Sequence, residues 1–281
     1  MAEKEFKVLV TDLDGTLFYP KRKLRLIPKK SIKFLQDFID EGNKLVIASG
    51  RNFEFSKKVM NKIKRKVDFF GCNSALMFDE DKLVYEKHFE NDKIIEYLNM
   101  IIDKFSPSSL AVMTDKNNLV VCPLKFKVLT NMFYPFWSLS QGVYKEPYIL
   151  VNKEKFYNIL KSDKIFKVMI FFGLTKLAES KATIVSSYLR KNEKFCEASS
   201  SSISIELTPL GVNKGEGIDI YVKNHNLNKD QIYVIGDSGN DVPMFKKYYE
   251  HSFCMSHANA GVQKNAKNIV KRFSDLKDYL L

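Results

Sequence analysis

The chain has 281 residues, of which 45% are hydrophobic and 28% charged. This composition is typical of a globular protein and excludes a disordered or fibrous one, and the length suffices for two packed domains. The net charge of +12 comes mainly from scattered lysines, densest at residues 57–66. Because arginine- and aromatic-interleaved patches are missing, we expect a lysine-rich solvated surface and no specific nucleic-acid partner.

The cysteines give no sign of a metal or redox motif. Four cysteines lie far apart and form no C-x-x-C pair, namely Cys72, Cys122, Cys196 and Cys254. Such spacing suits reduced thiols in a cytosol. No apolar run is long enough for a signal peptide or a membrane span. We therefore expect a soluble, cytoplasmic protein with no membrane partner, while the sequence leaves its oligomeric state open.

The first part of the chain alternates between strands and helices. Apolar runs predict buried strands at residues 6–11, 44–48 and 67–72. Apolar residues at helical spacing predict helices at 28–41 and 53–66. This alternation favours a parallel sheet with right-handed crossovers.

Residues 86–205 do not continue the strand–helix alternation and contain longer helices and strands in a mixed order. The predicted elements are a helix at 92–104, a hairpin around 115–118, a strand at 166–172, a helix at 174–190, and paired strands near Phe195 and Ile203. An aromatic patch, expected to line a cleft or pack the segment's own core, comprises Phe126, Phe133, Tyr134, Phe136 and Trp137. We therefore predict that this segment forms a second, α+β domain inserted into the first.

The strand–helix alternation returns after residue 206. The predicted elements are a helix at 215–224, a strand at 231–235, a helix at 242–247 and a strand at 252–255. The predicted fold class is therefore α/β. A Rossmann-like parallel-sheet core of residues 1–85 and 206–281 would carry an inserted α+β cap of residues 86–205, which would act as a substrate lid.

Polar residues follow several predicted strands at the point where each strand ends. Asp12 and Asp14 leave the first strand on a turn that Gly15 permits. Ligands of open α/β sheets bind at this edge, and two carboxylates in different environments can divide the roles of nucleophile and acid. An aspartate nucleophile would form a covalent phosphoryl intermediate.

The other strand ends add the remaining groups that phosphoryl transfer needs. Ser49 and Gly50 follow the second strand, Gly236 and Asp237 follow a later one, and Lys214 begins a helix. Phosphoryl transfer depends mostly on positioning and on neutralising charge. Magnesium prefers one or two carboxylates with phosphate oxygen and water, and Asp12 and Asp237 fit that demand.

These motifs resemble those of the haloacid dehalogenase-like (HAD) superfamily, and within it the Cof-like phosphatases with a large inserted cap. The matching motifs are Asp12-Leu13-Asp14-Gly15-Thr16, then Ser49, then Lys214, then Gly236-Asp237-Ser238-Gly239-Asn240-Asp241. The resemblance spans nearly the whole chain. It implies a phosphatase that hydrolyses small phosphorylated metabolites, such as a sugar phosphate or a phosphorylated cofactor, and requires Mg²⁺.

The resemblance also implies a role for each motif residue. Asp12 would be the nucleophile and a metal ligand. Asp14 would be general acid and then base, with its backbone carbonyl on the metal. Lys214 would neutralise charge on the transferring group, and Asp237 would be a side-chain metal ligand. The phosphate would contact Ser49, the Gly50 backbone and Asn240 (directly or through metal-bound water), and Asp241 would orient the site from behind.

The sequence departs from the family pattern in three places, one of which is the absence of the usual Gly-containing C-terminal loop. Asn73-Ser74-Ala75 stands where the family often has Asn-Gly-Ala, and the late segment 255–260 carries inserted residues around His257. The four histidines, His88, His225, His251 and His257, form no metal-ligand spacing, so we expect them in loops or at the surface. Two alternatives stay open: a capped sugar-phosphate phosphomutase, and a basic nucleic-acid-binding protein.

Overall fold

The computed structural model describes residues 6–20, 27–125, 148–173, 176–192, 195–200 and 204–281. The chain divides into two compact units, Met1–Glu86 with Asn213–Leu281, and Lys87–Val212. The expected first boundary, at 85/86, lies one residue from the observed division. The second expected boundary, at 205/206, falls inside a strand, so the chain returns to the first unit only at Asn213.

Within the described residues the strands, in chain order, are β1 Val8–Thr11, β2 Lys44–Ala48, β3 Asp68–Gly71, β4 Leu76–Asp79, β5 Lys82–Glu86, β6 Ser109–Thr114, β7 Val120–Pro123, β8 Ile149–Leu150, β9 Ile165–Phe171, β10 Cys196–Ser200, β11 Ser204–Pro209, β12 Ile232–Gly236, β13 Ser252–Met255 and β14 Asn268–Val270. The helices are α1 Lys29–Asp40, α2 Phe53–Ile63, α3 Asn91–Phe105, α4 Lys153–Ser162, α5 Lys176–Asn192, α6 Lys214–Asn224, α7 Val242–Lys247, α8 Ala260–Gln263 and α9 Lys277–Leu280.

The first unit is built on an eight-stranded sheet in the order β14-β13-β12-β1-β2-β3-β4-β5. The strands from β14 to β3 are parallel, and β4 and β5 add an antiparallel hairpin. Every residue of β1 is buried, as expected for a central strand covered on both faces. Since Val8 pairs with Lys44 of β2 and with Ile232 of β12, the carboxyl ends of these strands meet at one edge.

The second unit has its own six-stranded sheet in the order β10-β11-β9-β6-β7-β8. Its pairs are antiparallel except for β7 with β8. Alternate residues of the sheet, such as Val168 and Ile170 of β9, pack with apolar residues of α3, α4 and α5 in one core. This separate mixed sheet confirms the predicted α/β fold with an inserted α+β unit.

The elements predicted from the sequence mostly agree with the structure to within a few residues. The helix predicted at 53–66 ends earlier, at Ile63, because Lys64 adopts a left-handed conformation (φ 58°). The β4–β5 hairpin, β8, β14, α4, α8 and α9 were not predicted. The aromatic patch at 126–137 lies outside the described residues. None of the helices in the described part of the chain is sufficiently long and apolar to cross a membrane.

Candidate active site

Asp12 lies at the carboxyl end of β1, where the chain leaves the sheet. Its backbone N–H donates to the carbonyl of Ile235 (3.0 Å), so the residue is held beside the end of β12. The side chain is buried, with 4% of the residue exposed. Burial raises the pKa of the Asp12 carboxyl well above its usual value; the charge of Lys214 opposes the shift, and those of Asp241 and Asp237 reinforce it.

Lys214 is fully buried and joins two carboxylates. It is the first residue of α6, which Asn213 caps by accepting a hydrogen bond from the backbone N–H of Glu216 (3.0 Å). Its Nζ lies 2.6 Å from Oδ1 of Asp12 and 2.6 Å from Oδ1 of Asp241. Burial alone would lower the pKa of this ammonium, but the charges of the two carboxylates outweigh it and raise that pKa. Lys214 is therefore a fixed positive charge next to Asp12.

Asp241 ties the loop after β12 to Lys214. Its Oδ2 accepts hydrogen bonds from the backbone N–H groups of Asp237 and Ser238, both at 2.9 Å. Its Oδ1 accepts from Lys214, so both oxygens are engaged and the residue is fully buried. A Cβ on Gly236 would lie 2.3 Å from Cγ of Asp241, so only glycine permits this packing.

Asp237 faces the turn that follows β1. Its Oδ1 accepts a hydrogen bond from the Thr16 hydroxyl (2.9 Å). Gly15 passes so close that a Cβ there would lie 2.2 Å from Oδ2 of Asp237, and its φ of 80° also requires glycine. Burial, reinforced by the charge of Asp241, raises the pKa of Asp237 to about 7.

The carboxylates of Asp12, Asp237 and Asp241 form a cluster that could hold a metal ion. Each offers one oxygen, and these oxygens lie within 4.8 Å of one another. Carboxylate oxygens are the ligands that hard divalent cations prefer. The raised pKa values of Asp12 and Asp237 fit this interpretation, because a cation would offset the mutual repulsion of the carboxylates.

Asp14 is not part of this cluster, because its side chain turns toward the loop after β2. Nε and Nη2 of Arg51 donate to its two carboxylate oxygens, each at 2.7 Å, in a bidentate pair. The Arg51 side chain is 11% exposed and that of Asp14 36%. Only the backbone carbonyl of Asp14 was expected to bind metal, so the side chain remains available for another role.

The loop after β2 contributes Ser49, which is almost completely buried. Its Oγ accepts a hydrogen bond from the backbone N–H of Arg51 (3.2 Å), which shapes the loop around Gly50. Asn240, from the loop after β12, accepts a hydrogen bond from the Ser238 hydroxyl (2.6 Å) and donates to Oδ1 of Asn73 (3.2 Å). The motif residues identified in the sequence thus come from neighbouring loops at one edge of the first unit's sheet.

Sequence reasoning missed two residues near this edge. Arg51 was given no role from the sequence, although it pairs with Asp14. His257 lies in an exposed turn, as expected of a loop or surface histidine, yet its Nε2 lies 3.5 Å from Oδ2 of Asp237 and its ring stacks on Tyr19 at 3.9 Å. Burial lowers the pKa of this imidazole. The inserted residues around position 257 were the only signal in the sequence that this segment is unusual.

Comparison with known proteins agrees with this geometry. A family profile described as haloacid dehalogenase-like hydrolase matches residues 9–275. The Bacillus subtilis protein 5-amino-6-(5-phospho-D-ribitylamino)uracil phosphatase YcsE is 24% identical over 273 residues, which cover 96% of this chain and 89% of that protein.

Two solved structures are similar over nearly the whole chain. SMU.1108c from Streptococcus mutans UA159 has a TM-score of 0.80 at 19% identity and covers 98% of each chain. The sugar phosphatase BT4131, described as HAD subclass IIB, has a TM-score of 0.73 at 20% identity and covers 98% of this chain and 100% of its own. At these identities the likeness shows the shared fold.

Proposed function

The chain belongs to the haloacid dehalogenase-like hydrolases and is a phosphatase of that superfamily, a phosphoric monoester hydrolase; from that premise we propose that it hydrolyses small phosphorylated metabolites, with magnesium, through an aspartyl phosphate on Asp12. One observation carries the proposal: the buried Lys214 ammonium lies 2.6 Å from Oδ1 of Asp12 inside a cluster of carboxylates. An ammonium fixed beside a carboxylate neutralises the charge that a phosphoryl group brings to it.

In the first step, the free oxygen of Asp12 attacks phosphorus and the bond from phosphorus to the ester oxygen breaks. Lys214 already occupies Oδ1 of Asp12, which leaves Oδ2 as the attacking atom. Asp14 gives a proton to the departing ester oxygen, so the alcohol leaves neutral. Ser49, the Gly50 backbone and Asn240 hold the phosphoryl oxygens, and Lys214 offsets their charge.

In the second step, water attacks the phosphorus of the aspartyl phosphate while Asp14 accepts its proton. The bond between phosphorus and the Asp12 oxygen breaks, which releases inorganic phosphate and regenerates the carboxylate. Asp12, Asp237 and the backbone carbonyl of Asp14 would hold Mg²⁺, which supplies positive charge to the phosphate. Asp241 orients the site, since both of its oxygens already accept hydrogen bonds.

We also propose that the unit Lys87–Val212 selects the substrate. The motif residues all lie in the other unit, so the chemistry does not draw on it. Substitutions at cleft-facing positions of this unit should change the ranking among phosphorylated metabolites more than the rate on an aryl phosphate, and equal losses on all substrates would argue against the selecting role.

The central test combines a chelator with a change of the nucleophile. Hydrolysis of p-nitrophenyl phosphate should stop in excess EDTA and return with Mg²⁺. Asp12→Asn should remove nearly all activity, because no covalent step remains. Asp219→Asn is the matched control, since Asp219 is a carboxylate of α6 that bonds to Lys247 and Tyr248 away from the motif residues.

A direct readout of the intermediate completes this test. Wild-type protein quenched in acid during turnover should show a gain of one phosphoryl group by intact mass, and Asp12→Asn should not. Full activity in EDTA, or an active Asp12→Asn enzyme, would refute the proposal. Formation of an isomeric sugar phosphate instead of inorganic phosphate would point to a mutase.

A further inference from the structure

Residues Cys72, Asn73 and Ser74 form an unusual turn directly after β3. Their φ angles are 51°, 58° and 79°, so three successive non-glycine residues adopt left-handed conformations. Each such residue costs free energy, although asparagine tolerates the conformation better than most. Backbone outliers of this kind persist where the surrounding structure holds them and are found preferentially at functional sites. The neighbours of this turn therefore show what it holds in place.

The backbone of the turn fixes the loop that carries Ser49. The N–H of Asn73 donates to the carbonyl of Ser49 (2.9 Å), and the N–H of Cys72 donates to the carbonyl of Arg51 (2.8 Å). The N–H of Ser49 in turn donates to the carbonyl of Phe70 in β3 (2.8 Å). Consecutive left-handed residues point successive N–H groups in similar directions, which explains how one turn reaches both carbonyls.

The side chain of Asn73 fixes a second loop, the one after β12. Its Oδ1 accepts a hydrogen bond from Nδ2 of Asn240 (3.2 Å), while Oδ1 of Asn240 accepts from the Ser238 hydroxyl (2.6 Å). Both ends of the Asn240 amide are therefore held. The Asn240 nitrogen has a second N–H that an anion can accept. A reversed amide would offer its oxygen instead, which repels an anion.

We propose that Asn73 is a positioning residue that sets Ser49 and the Asn240 amide to bind the oxygens of a phosphate monoester. This inference rests on the proposed function, in which Ser49 and Asn240 bind the phosphoryl group. Asn73 itself is buried, with 4% exposed, and acts through its two neighbours. Its backbone N–H fixes the position of the Ser49 backbone, and its side-chain oxygen fixes the orientation of the Asn240 amide.

The test replaces Asn73 with glycine, which keeps the left-handed backbone and removes only the amide. In Asn73→Gly the inhibition constant for orthovanadate, a phosphate mimic, and the KM for p-nitrophenyl phosphate should each rise on the order of tenfold, as for a lost hydrogen bond near a charged ligand. Asn240→Ala should show a similar loss. In the double variant, orthovanadate should bind at most about twofold more weakly than in Asn240→Ala, because the residues act as one unit.

Asn226→Gly is the matched control, because Asn226 is also left-handed (φ 52°) and lies in the loop between α6 and β12. It should bind orthovanadate as the wild type does. Unchanged orthovanadate inhibition in Asn73→Gly, additive losses in the double variant, or an Asn73→Gly protein that no longer folds by circular dichroism would each overturn the inference. A wild-type protein without phosphatase activity would instead overturn the proposed function, so the two failures are distinguishable.

Discussion

At the scale of single residues, the pairing of Asp14 with Arg51 bears on proton transfer. Arg51 is permanently charged, and its Nε and Nη2 each donate to one oxygen of the Asp14 carboxylate in a bidentate contact. An ionised Asp14 is ready to accept a proton from water, as the second step requires. For the first step Asp14 must carry a proton, so the contact with Arg51 has to loosen when a dianionic substrate arrives and competes for the guanidinium.

Asp14→Asn should therefore affect substrates according to their leaving groups. The loss should be ~10²–10⁴-fold for an alkyl phosphate, the size typical of general acid–base catalysis. It should be much smaller for the first step with an aryl phosphate, because an acidic phenol needs no proton to leave. The measurement is the ratio of kcat/KM on the two substrates for wild type and variant, with Asp219→Asn as control. If the ratio does not change, Asp14 is not the acid.

The sequence predicted residues of this site to different extents. Asp12 and Asp237 were identifiable because each follows a buried strand, and Lys214 because it begins a helix between the first and last motifs. Arg51 and His257 were not, because their importance depends on partners far along the chain, Asp14 and Asp237. The paired residues are 37 and about 20 positions apart, and a contact over such a separation produces no repeating pattern in a single sequence.

At the scale of elements, the turn after β3 combines backbone strain with an unsatisfied polar group. The Oγ of Ser74 is buried and has no hydrogen-bond partner among the residues that the structure describes. It packs against α6 at Gly217, where a Cβ would lie 2.3 Å from this oxygen. Both features arise at a position where the family often has glycine. The serine therefore costs folding free energy without forming a hydrogen bond through its hydroxyl.

Ser74→Gly should therefore stabilise the protein. The change removes about 1–2 kcal/mol of left-handed strain and about 1–3 kcal/mol for the buried hydroxyl, against about 0.5–1 kcal/mol for the added freedom of the unfolded chain. We expect the free energy of unfolding to rise by at least about 1 kcal/mol, measured from urea denaturation.

The control for this prediction is Ser106→Gly at the end of α3, where the serine is left-handed (φ 46°) but exposed. It lacks the buried hydroxyl, so it should gain less stability than Ser74→Gly. Equal gains for the two variants would show that backbone strain alone accounts for the effect, and a loss in Ser74→Gly would contradict the prediction.

The sequence did not reveal the β4–β5 hairpin of the first unit, for a clear physical reason. The β4–β5 hairpin turns through Glu80 and Asp81, with Asp79 paired to Lys82. Tight hairpins are recognised by Asn-Gly or Asp-Gly, because their turn residues need positive φ. Here Glu80 adopts a φ of 52°, but neither dipeptide is present. In the sequence the turn therefore looks like an ordinary charged loop. Most of the longer helices and the buried strands around β1 were predictable because their apolar periodicity is local.

At the scale of the whole molecule, the crowded carboxylates make metal binding and folding interdependent. The pKa of Asp237 is about 7 in the folded protein, against an ordinary value of 3.8. Between those values the folded protein keeps a proton that the unfolded chain releases, so this group lowers stability as pH rises from about 4 to about 7. The loss is complete above about pH 7.

Added Mg²⁺ should therefore raise the Tm more at about pH 8 than at about pH 5, because it binds the ionised carboxylates that repel one another in the metal-free protein. The measurement is thermal unfolding with MgCl₂ or EDTA at both pH values. Asp237→Asn removes the titrating group and should shrink the difference between them. An equal shift of Tm at the two pH values would contradict this account of the site.

The division into two units was predictable, but one boundary was not. The predicted core resumed at residue 206. In the structure β11 runs to Pro209 and belongs to the second unit's sheet. An apolar strand looks the same in either sheet, so local pattern cannot assign it. Its partner β9 decides the assignment, and pairing between strands is a property of the fold rather than of the segment.

The central strand β1 has a consequence for synthesis on the ribosome. Its neighbour β2 follows within 40 residues, but its other neighbour β12 emerges only after the whole contiguous segment Lys87–Val212 has been made. At ~5–20 residues per second, β1 waits ten seconds or more with one edge unpaired. Asp12 meets Lys214 and Asp241 only after that wait. A nascent chain is thus catalytically inert until Asp241 has been made, and it depends on β12 to pair with an edge that would otherwise promote aggregation.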